Sequence, residues 1–261
     1  MITIDKLTQS LTLFFASLAI STSASATPTP IYLTNWTQQG NSGNWIVSTD
    51  QKSVTQTLNG APTFFVSPNN FINSLIKGKL KVKPEGNLDN DFIGFVFGYQ
   101  SPIRNSSNSL NHWEFLLFDW KQNSQTLNLN YRAYVGFTLT QINGSKIDNL
   151  LHFWQHTDTP EFNVLATDYG LHKGWLDNTE YEFALLYQTN RIKIDIDRKT
   201  IFDVSGTFKA GRVGFYNFSQ KGAHYSNLTH EPVSVPEPNS PLTLLISTIF
   251  CLNWKLFHKH R

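Results

Sequence analysis

Apolar and polar residues alternate with a period of two through Ile192-Lys193-Ile194-Asp195-Ile196-Asp197, the pattern of a strand with one face in a core and the other in water. Arg198-Lys199 then predicts a tight turn into a second strand, Thr200 to Val204. Similar runs recur at Trp45 to Val47, Val54 to Leu58, Ile76 to Val82, Trp113 to Trp120, Leu127 to Tyr134 and Phe137 to Ile142. Others follow at Tyr181 to Tyr187, Arg212 to Asn217 and His224 to Leu228. Phe92 to Tyr99 differs, because every residue in it is apolar, aromatic or glycine, which predicts a buried strand. So many short strands, separated by Asn, Gly, Ser and Asp, predict an all-β sandwich. Only Asn149 to Trp154 and the neighbourhood of Tyr169 suggest a short helix.

The two ends carry hydropathy of another kind. Lys6 precedes an apolar run, Leu11 to Ile20, and a small-residue stretch closing on Ala24-Ser25-Ala26. Signal peptidase cuts this arrangement, so residues 1–26 are expected to be an export signal, with the mature chain starting near Thr27. A first core helix fits less well, since the run is short and Thr-Pro-Thr-Pro follows it. At the other end, Val235-Pro236-Glu237-Pro238 introduces an apolar segment from Pro241 to about Trp254, closed by Lys255, Lys259 and Arg261. That segment is shorter than the roughly 20 residues of a comfortable membrane span.

The order of Pro-Glu-Pro, a short apolar helix and a basic end resembles the bacterial PEP-CTERM sorting signal, over residues 235–261. The resemblance implies a single C-terminal membrane-anchor helix. It also implies transient anchoring at the inner membrane before the protein reaches the cell surface or the extracellular matrix. Positive charge after the apolar run agrees with a cytoplasmic C-terminus.

Charge changes the picture once the ends are set aside. The chain has 21 basic and 19 acidic residues; without Lys6, Lys255, Lys259, Arg261, Asp5 and Glu237, residues 27–234 hold 17 of each. This neutral domain forces no basic face, and nucleic acid is not expected as a partner. Lys77, Lys79, Lys81 and Lys83 alternate with Gly78, Leu80 and Val82, as expected for one solvated strand face rather than a polyanion site. The single cysteine, Cys251, lies in the tail, so no disulfide framework holds the domain. The 208 residues from 27 to 234 can bury enough apolar surface for one large domain.

Several motifs succeed one another in order. They are Asn44-Trp45-Ile46-Val47, the Asp91 to Gln100 block, Glu114 to Gln122, Tyr131-Arg132-Ala133, Trp154-Gln155-His156-Thr157, Gly174-Trp175-Leu176-Asp177 and Gly211 to Gln220. Together they resemble the C-terminal domain of the thrombospondins across roughly residues 35 to 230. The resemblance implies a jelly-roll sandwich of the L-type lectin, concanavalin A-like kind. It implies an extracellular domain that binds calcium and makes adhesion or matrix contacts. The family's cysteines are missing here, and Ser101 to Asn111 lengthens the hairpin between two central strands.

Calcium takes roughly six to eight oxygen ligands, and Asn87, Asp89 and Asp91 would share one side of an extended loop with Asn90 beside them. Asn-Asp runs also cap and turn loops without binding metal. The resemblance favours the calcium reading and adds Asp168 and Asp177, in the loops around Gly174-Trp175, as companions. His152 and His156 have the spacing of helical metal ligands, but no Glu follows His152, and a structural hydrogen bond is favoured for His156.

The expected function is a non-catalytic adhesion or matrix-binding module whose partner is an extracellular glycan or matrix protein. The alternatives are a lectin-fold glycoside hydrolase and a carbohydrate-binding protein acting on extracellular polysaccharide. A hydrolase needs two nearby carboxyl groups, for which Asp195 and Asp197 qualify by spacing, whereas Glu114 and Asp119 fall on opposite strand faces. A sugar site would draw on exposed rings among Trp36, Trp113, Tyr134, Trp154 and Trp175.

Overall fold

In a computed structural model, residues 27–84, 89–100, 103–104, 111–128, 130–145 and 150–234 are described. Short strands β1 (Thr29–Pro30), β2 (Thr37–Gln39), β3 (Trp45–Val47) and β4 (Ser53–Gln56) lead into β5 (Thr63–Phe71), β6 (Ser74–Val82) and β7 (Phe92–Tyr99). Next come β8 (Ile103–Arg104), β9 (Asn111–Lys121), β10 (Gln125–Leu127), β11 (Tyr131–Ala133), β12 (Gly136–Gly144) and the helix α1 (Leu150–Gln155). The chain continues through β13 (Phe162–Tyr169), β14 (Glu180–Tyr187), β15 (Arg191–Ile196), β16 (Lys199–Ser205), β17 (Gly211–Phe218) and β18 (Ala223–Pro232).

These strands form two large antiparallel sheets. Sheet I runs β16-β15-β14-β6-β18-β4-β3 with β1 on β18; sheet II runs β13-β12-β9-β7-β17-β5-β2 with β8 on β9. Their inner faces meet in one apolar layer, where Ile76, Leu80, Phe183 and Leu185 of sheet I pack on Phe95, Phe97, Phe118 and Phe215 of sheet II. The Phe95 and Phe183 rings stack across the gap at 5.1 Å. Each buried ring of this kind contributes about 1.5–3 kcal/mol by leaving water.

Sheet II buries its outer face as well. The β10–β11 hairpin and α1 lie over it, and Phe153, Trp154 and Ala133 join Phe64, Phe92, Val96, Phe115, Leu117 and Tyr216 in a second core. All eight residues of β7 are therefore buried, whereas β6 of sheet I alternates buried and more exposed positions.

The architecture is the expected all-β sandwich, and local details differ from the sequence pattern. Leu127 to Tyr134 forms the turn and second arm of a hairpin rather than one strand, because Asn128 takes a left-handed φ of 47°. The turn after β15 falls on Asp197 and Arg198, with φ of 48° and 66°, one residue earlier than expected. Tyr169 ends strand β13, paired with Gly136, and is not helical. Residues 1–26 and 235–261, expected to be an export signal and a membrane anchor, lie outside the described residues; among those described, no helix is long and apolar enough to cross a membrane.

Candidate functional site

The loop entering β7 is held on three sides. Asn59 Nδ2 donates to Asp89 Oδ2 at 2.5 Å, and the Asn90 N–H donates to Asp89 Oδ1 at 3.1 Å. The Asp91 N–H donates to Gln220 Oε1 at 3.0 Å, while Trp175 Nε1 donates to the Asp91 carbonyl at 3.1 Å. These contacts bring the Asp89 and Asp91 carboxyls together. Burial, and then the adjoining Asp91 carboxylate, push the Asp89 carboxyl up to about 6.

Lys121, at the end of β9, enters this doorway from below. Its ammonium donates to Asp91 Oδ1 at 2.5 Å, to the Asn90 carbonyl at 2.9 Å and to Gln125 Oε1. Three donors thus meet three acceptors, which an ammonium requires when it is 1 % exposed. The rings of Phe92 and Trp154 lie 4.9 and 4.8 Å from the same nitrogen. Burial pulls the Lys121 ammonium below its ordinary value, and Asp91 opposes that shift.

Two residues back along β9, Asp119 shares this face of sheet II. It pairs in register with Gly94, which pairs in turn with Tyr216, so the three span adjacent strands. Gly94 is required there, since a Cβ would sit 2.0 Å from the Phe118 carbonyl oxygen. His156 follows α1 with a φ of 51°, and its Nε2 lies 2.6 Å from Asp119 Oδ2 in a buried hydrogen bond. The expected structural role of His156 is realised in this bond. Burial raises the Asp119 carboxyl, against the lowering influence of His156, and holds the Tyr216 hydroxyl well above its ordinary value. Asp119 Oδ1, Tyr216 Oη and Trp154 Nε1 are buried without hydrogen-bond partners among the described residues.

Of the expected cation ligands, Asp89, Asn90 and Asp91 adjoin one another, while Asn87 lies outside the described residues. Asp168 instead pairs with Lys173, and Asp177 accepts from Gln122 Nε2 at 3.2 Å. Among the described residues no three His, Cys, Asp or Glu side chains converge as a metal cluster. The doorway nevertheless offers a set of oxygens suited to a hard cation. Its two carboxylates are matched by one ammonium, and Asn90 Oδ1 is buried with no partner among the described residues.

Other candidates take different places. Trp36, Trp154 and Trp175 are core residues and Trp113 packs against the second core; of the five rings considered for a sugar, Tyr134 alone is exposed, at 46 %. Asp195 and Asp197 do not share a strand face, since Asp197 sits in the turn and accepts from the Glu182 N–H. The sequence pattern did not reveal Lys121, or Asp119 as the partner of His156. Their signal was present as two polar residues continuing the period-two face of Phe115 and Leu117.

The chain matches the family model for the thrombospondin C-terminal region over residues 40–233. It is 31 % identical to thrombospondin-2 of Gallus gallus over 208 residues, covering 72 % of this chain and 16 % of that one. To human thrombospondin-3 it is 29 % identical over 219 residues, covering 76 % of this chain and 21 % of the relative. The chain therefore spans about a sixth to a fifth of the length of these relatives. A solved Bacillus subtilis protein with a galectin-like fold superposes with a TM-score of 0.50 at 12 % identity, covering 77 % of this chain and 90 % of that one, which supports the sandwich fold.

Proposed function

The chain belongs to the thrombospondin C-terminal family, and from that premise we propose that it is an exported, non-catalytic binding module of the cell surface or extracellular matrix. The observation that carries the non-catalytic reading is the state of its carboxylates. Asp119 is buried and bonded to His156, while Asp91, buried at the entrance to β7, is paired with Lys121 and lies beside the loop carboxyl of Asp89 rather than in an open cleft. Asp195 and Asp197, the pair open to a hydrolytic reading, are engaged with Lys193, Thr200 and the Glu182 backbone. General acid-base work on a glycosidic bond needs two carboxyl groups that face the same bond, and the turn at Asp197 takes its carboxyl off the strand face of Asp195. The module's ligand is an extracellular glycan or matrix protein. Residues 1–26 export it, and residues 235–261 hold it transiently at the inner membrane.

Calcium belongs to this proposal at the doorway. Asp89, Asp91 and Asn90 Oδ1 would hold the ion, while Asp168 and Asp177 stay with Lys173 and Gln122. Bound there, calcium supplies the positive charge that two adjoining carboxylates and one ammonium leave uncancelled. The loop's anchors to Asn59, Gln220 and Trp175 set its shape before any ion arrives. Thermal melting of the full chain in calcium and in chelator tests this. At calcium about 100 times Kd the added stability is about 2.7 kcal/mol. Asp89→Asn should abolish that gain. Identical melting in calcium and chelator removes calcium from the proposal; a glycan array that shows product release from β-glucans overturns the non-catalytic reading.

A further inference from the structure

On the outer face of sheet I, charges pair across β6 and β14. Lys81 stands opposite Glu180 and Lys79 opposite Glu182. One step along, the ladder breaks: Lys77 faces Ala184, and Leu75 faces Leu186. Small or apolar side chains stand where the next carboxylates would continue the series. The break opens into a trough of about 650 Å³, within the range of roughly 300–1,000 Å³ seen for small-molecule sites.

Its walls carry Lys77, Lys79, Lys193 and Arg198 against only Glu182 and Asp195. Two of the four cations are neutralised locally. Lys79 Nζ lies 2.6 Å from Glu180, and Lys193 Nζ lies 2.9 Å from Asp195, which also accepts from Thr200 Oγ1. Lys77 and Arg198 are exposed and have no carboxylate partner among the described residues. Arg198 is fixed beside the trough by its hairpin, because the Asp197 N–H donates to the Glu182 carbonyl while Asp197 Oδ1 accepts from the Glu182 N–H, both at 2.8 Å.

The lysine row is the solvated strand face expected of it except at Lys77, where Ala184 replaces a carboxylate, and there the geometry points to this trough as a binding site for an acidic polysaccharide. An anionic substituent pairs with Lys77 and Arg198, and the C–H face of the sugar ring lies on Ala184 and Leu186. A sugar acid joins these two surfaces in one residue, and a polymer repeats them along an open sheet face. The chain's own tail does not fit, since it ends in Lys255, Lys259 and Arg261, with the same charge as the walls. The inference rests on the binding-module reading and names its ligand class.

Binding of the full chain to alginate, dextran sulfate and neutral dextran tests it. Retention on an anionic polymer is expected, weakening as salt is raised because the cations are open to solvent. The alginate and dextran sulfate arms separate carboxylate from sulfate as the anion. Joint Lys77→Glu and Arg198→Glu replacement should weaken binding about tenfold or more through loss of charge-assisted contacts, without lowering the melting midpoint. Lys199→Glu, outside the trough, should leave retention unchanged. Undiminished retention in the double variant overturns the trough. Dextran bound as tightly as alginate overturns it too, while leaving the binding module intact. Absence of retention on any polymer also overturns the trough; the broader reading then stands if a matrix protein binds and falls if none does.

Discussion

The outer face of sheet II is roofed and that of sheet I is open, and the strands beneath record the difference. Strand β7 under the roof is buried at every position; β6 and β15 in the open sheet alternate. On the open face, lysines and carboxylates make exposed or half-exposed pairs such as Lys79–Glu180 and Arg191–Asp203, which stabilise little because water competes for them. Under the roof, Lys121–Asp91 and Asp119–His156 are sealed, so each partner depends on the other for the hydrogen bonds that water no longer supplies. The same residue types thus serve as a removable coating on one sheet and as internal struts on the other.

Removing the roof is the most damaging way to break this contrast. Trp154 meets the edges of Phe92 and Phe218 at 5.5 and 5.9 Å and lies beside the Lys121 ammonium. Trp154→Ala should cost about 3–5 kcal/mol in chemical denaturation, from lost burial and the cavity left behind. A loss below about 1 kcal/mol would mean that sheet II is stable without its cover.

Replacing the strut itself comes next. Lys121→Met keeps most of the volume but leaves Asp91 without its cation, at a cost of about 3 kcal/mol when measured in chelator. Adding Asp91→Leu should recover most of that loss, because a buried pair replaced as a unit leaves no stranded charge. If the double variant is as unstable as the single one, the pair is not the source of the effect.

How much of this contrast the sequence disclosed depends on where the information resides. Alternation in Arg191–Ile196 and Ser74–Val82 is local and visible, and so is the unbroken apolar run of β7. The cover over β7 is not local: α1 begins more than fifty residues downstream of β7 and spans six residues, too few for a periodic signal. Strand β5 was hidden because Pro68 interrupts it; the sheet accommodates that proline where the pairing register shifts between Val66 and Asn70. At the candidate site, the spacing of Asp89 and Asp91 was readable, whereas the ammonium between their loop and β9 depends on strand pairing across 30 residues. The trough on sheet I was equally hidden. The row of lysines was apparent, but the Ala184 that interrupts its carboxylate partners comes from a strand a hundred residues away.

The smallest expected effect lies on the open face and sharpens the comparison through pH. His224 on β18 accompanies Lys81 across the strands and shares a 2.9 Å hydrogen bond with Thr55. Partial burial, then the Lys83 charge, hold its imidazole below the ordinary value of 6.5. The unfolded chain therefore takes up this proton at higher pH than the folded one. Stability from neutral His224 is complete above the unfolded value and is lost as pH falls through the folded one. Asp119 under the roof has the opposite slope: its raised carboxyl favours the folded state below the unfolded value, and that advantage disappears as pH rises through the folded one. Denaturation midpoints of wild type and His224→Gln across pH 7 to 5 should converge toward the acid end, as the wild type alone loses this contribution. Parallel curves would show that the open face leaves His224 as solvated as in the unfolded chain, and that desolvation is confined to the roofed sheet.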